Sequence, residues 1–290
     1  MVTIAVYGSR RQEPASLKLI DSLLQDLSAR GCQLLIHSKI YASLTQGGYD
    51  PANWNLYDVT DSDRFSAELV ISIGGDGTFL RTARWVGDKE IPIVGVNSGH
   101  LGYLTAFDIA DSPELLKMLF SGEFYVEKRS LVKISGDSVP ETIWKCALNE
   151  IAIMKHDTSS MISIDATIDG HHLAVYKADG LLVATPTGST GYSLSVGGPI
   201  LQPTSPNFVI SPIAAHSLTM RPLVITDNSI LTLKVGGRSD SCFVSIDGNP
   251  FPVPTGAILT VSKAPHSIKV VMRNDHGFAT TLREKLLWGI

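Results

Sequence analysis

The sequence predicts two domains: an N-terminal α/β domain with a doubly wound parallel sheet, and a C-terminal domain rich in β-sheet. Over residues 1–127, short apolar runs alternate with helical patterns, as in the strand-helix units of a parallel sheet. Over residues 128–275, strand-like runs separated by turn residues replace the helical pattern. Residues 276–290 could pack back on the first domain.

Apolar spacing defines the N-terminal elements. The strand-like runs are residues 3–7, 34–37, 69–73 and 92–96. Helical spacing covers residues 17–27, with Gly31 as the stop, and residues 78–86. The polar stretch 43–62 is predicted to be irregular. Together these units predict a doubly wound sheet.

The C-terminal pattern is different. Its strand-like runs include residues 131–134, 162–168, 181–184 and 231–235, which predict β-sheet with few helices. Residues 280–288 return to helical spacing and form the segment that could pack on the first domain.

Composition excludes several classes of protein. The chain has 290 residues and a formal net charge of -4, which argues against a generally basic nucleic-acid-binding surface. No apolar run reaches the roughly 18 residues of a membrane helix, and the start lacks a signal-peptide pattern. Three widely spaced cysteines suit reduced thiols. We therefore expect a cytoplasmic protein without nucleic-acid or membrane partners.

A glycine-rich turn follows the apolar run 69–73. Gly74, Gly75 and Gly77 leave backbone amides open to a phosphate, and the following helix N-terminus attracts its charge. Asp76 stands between them, before Thr78. An Asp at such a place can simply shape a turn or cap a helix. Beside a phosphate site, it can instead orient or deprotonate a hydroxyl.

This Gly-Gly-Asp-Gly-Thr turn resembles the shared motif of a superfamily containing NAD kinases, lipid kinases of the diacylglycerol and sphingosine type, and 6-phosphofructokinases. The resemblance implies that Asp76 is the catalytic residue, which orients or deprotonates the accepting hydroxyl, and that Gly74, Gly75, Gly77 and Thr78 bind nucleotide.

Three further runs are similar to NAD kinase motifs. Residues 97–105, Asn-Ser-Gly-His-Leu-Gly-Tyr-Leu-Thr, place Tyr103 where the family usually has Phe; by itself this run could cradle a ring or close a loop. Asn149 and Glu150 match the family's Asn-Glu pair, whose implied role is to bind nucleotide ribose hydroxyls, although an ordinary alternating strand would also explain them. Asp247, before Gly248, matches a late Asp-Gly, which is also a common hairpin turn.

The most specific run covers residues 179–199. It begins Asp-Gly, continues Thr-Pro-Thr-Gly-Ser-Thr-Gly-Tyr-Ser, and ends Gly-Gly-Pro. An apolar strand delivers a loop of hydroxyls and glycines, which suits adenosine. The loop resembles the NAD kinase signature, with Gly191 in place of the usual Ala. Matched residue by residue with the family's motifs, the residues implied to bind the dinucleotide here are Asp179, Thr187, Thr190, Gly191, Tyr192, Ser195 and, from a later family segment, Ala214.

The resemblance implies an NAD kinase that transfers a phosphoryl group from ATP or polyphosphate to the 2'-hydroxyl of the adenosine ribose of NAD, making NADP. Magnesium or another divalent cation would be held through the donor phosphates, with no direct protein ligand. A homo-oligomer, dimer or tetramer, is also implied. A lipid kinase and a non-catalytic NAD or NADP sensor remain alternatives; the retained Asp76 favours catalysis. The sequence leaves open the choice of donor, the use of NADH and any feedback regulator.

Overall fold

The structure is a computed structural model that describes residues 2–99, 102–156 and 161–289. The chain divides into two compact units. Unit 1 comprises Met1–Lys128 and Ile268–Ile290, and unit 2 comprises Arg129–Ser267. Unit 1 is α/β and unit 2 is rich in β-sheet, so the predicted fold class is confirmed.

The first elements of the chain all belong to unit 1. They are β1 (Thr3–Gly8), α1 (Pro14–Ala29), β2 (Gln33–His37), α2 (Ser38–Gln46), β3 (Leu56–Thr60), β4 (Leu69–Ile73), α3 (Asp76–Val86), β5 (Ile93–Asn97), β6 (Phe107–Asp108) and α4 (Ser112–Ser121).

The remaining elements are mostly strands. They are β7 (Phe124–Ser135), β8 (Cys146–Ala147), β9 (Glu150–Lys155), β10 (Ile162–Ile168), β11 (His171–Ala178), β12 (Gly180–Ala184), α5 (Tyr192–Ser195), β13 (Asn207–Ile213), β14 (Leu223–Thr226), β15 (Leu231–Gly237), β16 (Ser241–Ile246), β17 (Asn249–Pro254), β18 (Ile258–Arg273) and α6 (Phe278–Leu286).

Unit 1 is built on parallel strands in the order β5-β4-β1-β2-β3. The chain runs outward from β1 to β3 and then returns to β4 on the other side of β1. Doubly wound sheets bind ligands at the carboxyl ends of their strands, where the order reverses in this way. Gly74 follows β4 at that point, so the topology places the glycine-rich turn at the expected ligand edge.

One stretch of unit 1 differs from the prediction. Residues 43–62 were expected to be irregular, but they contain the end of α2 and all of β3. Helix α2 is short and begins where the His37 side chain accepts a hydrogen bond from the Lys39 amide. Strand β3 is an edge strand that leaves Tyr57 exposed. Neither element needs a long apolar repeat, which is why apolar spacing missed both; helix α4 was also not predicted.

Unit 2 contains an antiparallel sheet in the order β14-β13-β12-β9-β16-β17. Alternate residues of β9 and β12, such as Ile151, Ile153, Leu181 and Val183, enter a core shared with β10, β15 and β18. The opposite face of β9 carries Glu150 and the residues at alternate positions after it. That face is the one available for binding.

Strand β18 contributes to both units. Val261 pairs with Leu231 of β15 in unit 2, whereas Val270 pairs with Ile93 of β5 in unit 1. Helix α6 follows in unit 1. The unit boundaries therefore fall near the predicted domain limits without coinciding with them, and the domain extents stay a prediction. No helix in the described part of the chain is long and apolar enough to cross a membrane.

Candidate functional site

The turn between β4 and α3 is tightly built. Gly74 has φ +147°, and a Cβ there would lie 2.5 Å from Thr78 Oγ1, so a side chain would be both strained and obstructed. Gly75 caps α3 and faces open space among the described residues. The turn therefore combines a fixed shape with exposed backbone at a helix N-terminus, which attracts anions.

The Asp76 carboxylate is held by the segment that follows β5. Asp76 Oδ2 accepts a hydrogen bond from the Tyr103 amide at 2.7 Å, and Oδ1 accepts one from the Leu104 amide at 2.8 Å. A Cβ on Gly102 would lie 2.2 Å from Asp76 Oδ1. The segment can therefore lie this close to the Asp76 carboxylate only because residue 102 is glycine. Asp76 is half-buried, and each oxygen keeps a lone pair for a further partner.

Thr78 and Tyr103 complete the predicted residues of this site. Thr78 is buried, and its Oγ1 accepts a hydrogen bond from Arg81 Nη2 at 3.1 Å. Tyr103 is half-buried and contributes its amide to Asp76. Gly77 is exposed at the start of α3. His100 and Leu101 of the same predicted motif lie outside the described residues.

In unit 2, Asn149 and Glu150 stand at the start of β9, beside Asp247. Asp247 and Gly248 have φ +45° and +78° and form the two-residue turn between β16 and β17. The Asp247 carboxylate accepts hydrogen bonds from the amides of Leu148, Asn149 and Glu150 at 2.7, 2.8 and 3.1 Å. Asp247 thus shapes a hairpin and also fixes the Asn-Glu pair, while its predicted contact with the dinucleotide stays a prediction.

Burial changes the acidity of this pair. Desolvation, followed by the charge of Asp247, raises the pKa of Glu150 to about 7. Desolvation also raises the pKa of Asp247 to about 6, although the three amides oppose that rise. Asn149 Oδ1 and Glu150 Oε2 are buried and accept no hydrogen bond from the described part of the chain. Two unsatisfied acceptors beside a cavity suit ligand hydroxyls.

The loop after β12 packs directly on Asn149. The Thr185 amide donates to the Asn149 carbonyl at 2.8 Å, and a Cβ on Gly188 would lie 2.1 Å from that carbonyl oxygen. A Cβ on Gly191 would lie 3.3 Å from Glu150 Oε2, so an alanine fits there only with small adjustments. Gly191 therefore leaves extra room beside Glu150.

The loop residues have different exposures. Thr187 is buried, and its Oγ1 accepts a hydrogen bond from Arg129 at 3.5 Å. Thr190 is half-buried and donates to the Thr187 carbonyl, whereas Ser195 is exposed. Tyr192 is 40% exposed. Tyr192 and Ser195 can meet a ligand directly, while Thr187 supports the loop.

Asp179 and Ala214 form a separate group at the other end of β12. Gly180 pairs with Met154 and Ala184 pairs with Glu150, so Asp179 lies at the end of the β9-β12 pair away from Glu150. Asp179 Oδ1 forms an ion pair with Lys155 Nζ at 2.7 Å. Ala214 is exposed with φ +48°, an unusual conformation for a residue with a Cβ. The sequence analysis did not predict Lys155 as a partner of Asp179, because no motif marks it.

A cavity of about 270 Å³ runs along the outer face of β9. Its lining residues are Glu150, Ala152, Met154, Tyr192, Ser245, Gly248 and Pro250. The small side chains at Ala152 and Ser245 make a trough, with the acceptor of Glu150 at one end. The cavity extends from Glu150 along β9 to Met154, which pairs with Gly180 beside Asp179.

The described residues contain no group of three or more His, Cys, Asp or Glu that could hold a metal ion. Magnesium often binds through substrate phosphates and one or two carboxylates rather than in a protein cage. The helix N-terminus at the glycine-rich turn can hold donor phosphates, which fits a cation bound through those phosphates.

Comparison with known proteins identifies the family that the chain matches. Residues 9–124 match the ATP-NAD kinase N-terminal domain, and residues 148–273 match the ATP-NAD kinase C-terminal domain. An NAD kinase of Bacteroides fragilis is 49% identical over 285 residues, covering 98% of this chain and 97% of that protein. An NAD kinase of Porphyromonas gingivalis strain W83 is 42% identical over 292 residues, covering 100% and 99%.

Two solved structures share the fold. Yeast NADH kinase complexed with NADH aligns with a TM-score of 0.88 at 24% identity, covering all of this chain and 88% of that one. An NAD kinase from Archaeoglobus fulgidus in complex with ATP aligns with a TM-score of 0.72 at 25% identity over 94% of each chain. The family prediction is confirmed: with both domain matches and full-length relatives, the chain belongs to the NAD kinase family.

Proposed function

We propose that this chain transfers the terminal phosphoryl group of ATP to the 2'-hydroxyl of the adenosine ribose of NAD, giving NADP and ADP. The observation that carries this proposal is the Asp76 carboxylate, fixed by two amides beside a glycine-rich helix N-terminus. An acid so placed is suited to a hydroxyl that must lose its proton beside a phosphate.

In this reaction, the ribose oxygen forms a bond to the terminal phosphorus while the bond from that phosphorus to the ADP oxygen breaks. Asp76 orients the hydroxyl and accepts its proton through the lone pairs that the amides leave free. The backbone of Gly75 and Gly77, with Thr78 beneath it, holds donor phosphate by hydrogen bonds and the helix dipole. Gly74 is buried and its amide donates to the Val96 carbonyl at 2.8 Å, so it shapes the turn instead. A divalent cation, if held on those donor phosphates, would supply charge neutralisation there.

Unit 2 supplies the dinucleotide site in this proposal. The unsatisfied acceptors of Asn149 and Glu150 take ribose hydroxyls, and the half-exposed ring of Tyr192 offers a stacking face. Asp179, Thr190, Gly191, Ser195 and Ala214 line the rest, while Thr187 and Asp247 hold the loop and the strand start in place. The Tyr103 amide likewise holds the Asp76 carboxylate in place.

Location and assembly belong to the same proposal. We expect the enzyme to work in the cytoplasm as a homo-oligomer, dimer or tetramer, in which Asp179 could complete the site of an adjacent copy. Size-exclusion chromatography with light scattering measures the subunit number directly.

A purified-protein assay tests the activity. The chain is incubated with NAD, magnesium and either ATP or polyphosphate, and NADP is followed with an NADP-specific dehydrogenase; NADH replaces NAD in a parallel series. NADP formation that requires magnesium supports the proposal and identifies the donor. Tight NAD binding without any NADP from either donor would instead favour a sensor.

A further inference from the structure

The last helix of the chain reaches the segment that orients Asp76. Lys285, near the end of α6, donates a hydrogen bond from Nζ to the Thr105 carbonyl at 2.7 Å. The segment from Tyr103 to Thr105 therefore has two attachments: its amides bind the Asp76 carboxylate, and its next carbonyl binds Lys285. Sequence patterns do not indicate this contact, because the two partners are 180 positions apart in the chain.

Helix α6 is fixed before it reaches Thr105. Its first turn packs Thr281 into unit 1, with the Thr281 amide bonded to the Gly277 carbonyl. The turn ahead of the helix is held by Arg273, which pairs with Glu114 at 3.0 Å and with Asp275 at 2.8 Å. Lys285 thus extends from an anchored helix, so its ammonium can act as a fixed support.

Burial and the charge of Asp76 act in opposite directions on the pKa of Lys285. Burial lowers the pKa of Lys285, and the charge of Asp76 is the first of the effects that oppose this lowering. A lysine that is withdrawn from water is normally costly unless it has partners. Here the Thr105 carbonyl supplies a hydrogen bond and Asp76 supplies an opposite charge.

We propose that Lys285 is a positioning residue for phosphoryl transfer: by fixing the Thr105 carbonyl, it keeps the Tyr103 and Leu104 amides aimed at Asp76 and places a positive charge near that carboxylate. The proposal rests on the catalytic role of Asp76. Under this proposal, helix α6 affects the reaction indirectly, through the position of Asp76, because Lys285 does not touch the reacting atoms.

Three variants separate positioning from simple packing. Lys285→Met keeps the apolar stem and removes the charge and donor, whereas Lys285→Arg restores both. Arg283→Met is the matched control, because it removes one positive charge from an exposed position of the same helix. For each variant, kcat and the KM for NAD are measured together with thermal stability and hydrogen exchange of the amides in residues 102–105.

We expect Lys285→Met to lower kcat by about 10- to 100-fold, since small displacements of a catalytic group have effects of this size. The KM for NAD should change less than about twofold, because binding energy common to ground and transition states is untouched. The Tyr103 and Leu104 amides should exchange faster while the β1 and β4 amides do not. Lys285→Arg should recover most of kcat, and Arg283→Met should match the unsubstituted protein.

The proposal is overturned if Lys285→Met keeps its kcat, or if the loss of kcat accompanies faster exchange throughout unit 1, which would indicate general destabilisation. These outcomes differ from failure of the proposed function. If the unsubstituted protein makes no NADP, the activity itself is wrong, whereas the exchange data still report whether Lys285 holds the segment.

Discussion

Backbone amides hold the carboxylates of Asp76 in unit 1 and Asp247 in unit 2, but the two side chains have different roles. Each aspartate precedes a glycine, and each carboxylate accepts hydrogen bonds from consecutive backbone amides. Asp76 accepts two and stays half-buried at a helix N-terminus. Asp247 accepts three, and desolvation raises its pKa to about 6. Asp76 therefore keeps more acceptor capacity for a substrate hydroxyl than Asp247 does.

The comparison teaches that an acid's role depends on what its remaining lone pairs face. Amides hold both side chains in one orientation, which is the requirement for a catalytic group and for a structural one. What differs is the position of the carboxylate. Asp76 begins helix α3 at the glycine-rich turn, whereas Asp247 fixes the strand start that presents Asn149 and Glu150.

The largest expected effect is the loss of turnover in Asp76→Ala. Removing a group that orients or deprotonates the hydroxyl should lower kcat by about 10³-fold, within the usual range for general-base catalysis. The fold should persist, since the two freed amides lie at a half-buried site that water can reach. NADP formation and thermal unfolding of the purified variant measure both. Turnover within about tenfold of the unsubstituted protein would end the catalytic assignment.

The next effect comes from adding one methyl group to the loop of unit 2. Gly188→Ala places a Cβ 2.1 Å from the Asn149 carbonyl oxygen, whereas Gly191→Ala places one 3.3 Å from Glu150 Oε2. We expect Gly188→Ala to destabilise the protein by about 3 kcal/mol or more, and Gly191→Ala by less than about 1 kcal/mol. Denaturant unfolding of the two variants measures the difference; equal losses would mean that the loop does not pack on Asn149 as described.

Asp247→Ala sharpens the contrast with Asp76. It leaves three amides without their acceptor and puts alanine at φ +45°, so we expect a loss of about 2 to 3 kcal/mol in unfolding free energy. Affinity for NAD should fall because Asn149 and Glu150 lose their support. Urea unfolding and NAD titration measure these effects. A stable variant with normal NAD affinity would remove the structural role.

The smallest effect is a pH dependence of stability. The pKa of Glu150 is raised to about 7 and that of Asp247 to about 6, so the folded state binds more protons than the unfolded state between about pH 4 and 7. Stability should therefore fall as pH rises through this window. Glu150→Gln removes one of the two groups and should flatten the curve. Melting temperatures at pH 5 and pH 8 test this, and an unchanged slope in the variant would contradict it.

Much of this arrangement follows from the sequence. The apolar strand before Gly74 and the run 179–199 indicated the fold class and the family, because local spacing and composition determine them. Exposed edge strand β3 was missed because it lacks an apolar repeat. The Lys155-Asp179 pair, the approach of Gly188 to Asn149 and the contact of Lys285 with Thr105 depend on tertiary packing, which spacing along the chain does not encode.

The most direct test of the distinction between the two aspartates is the affinity of Asp76→Ala for NAD, measured by titration calorimetry beside the unsubstituted protein. We predict a Kd within about twofold of the original, in a variant that no longer makes NADP, because Asp76 acts on the transition state rather than on ground-state binding. Loss of NAD affinity together with turnover would contradict this account, and would make Asp76, like Asp247, a residue that shapes a binding site.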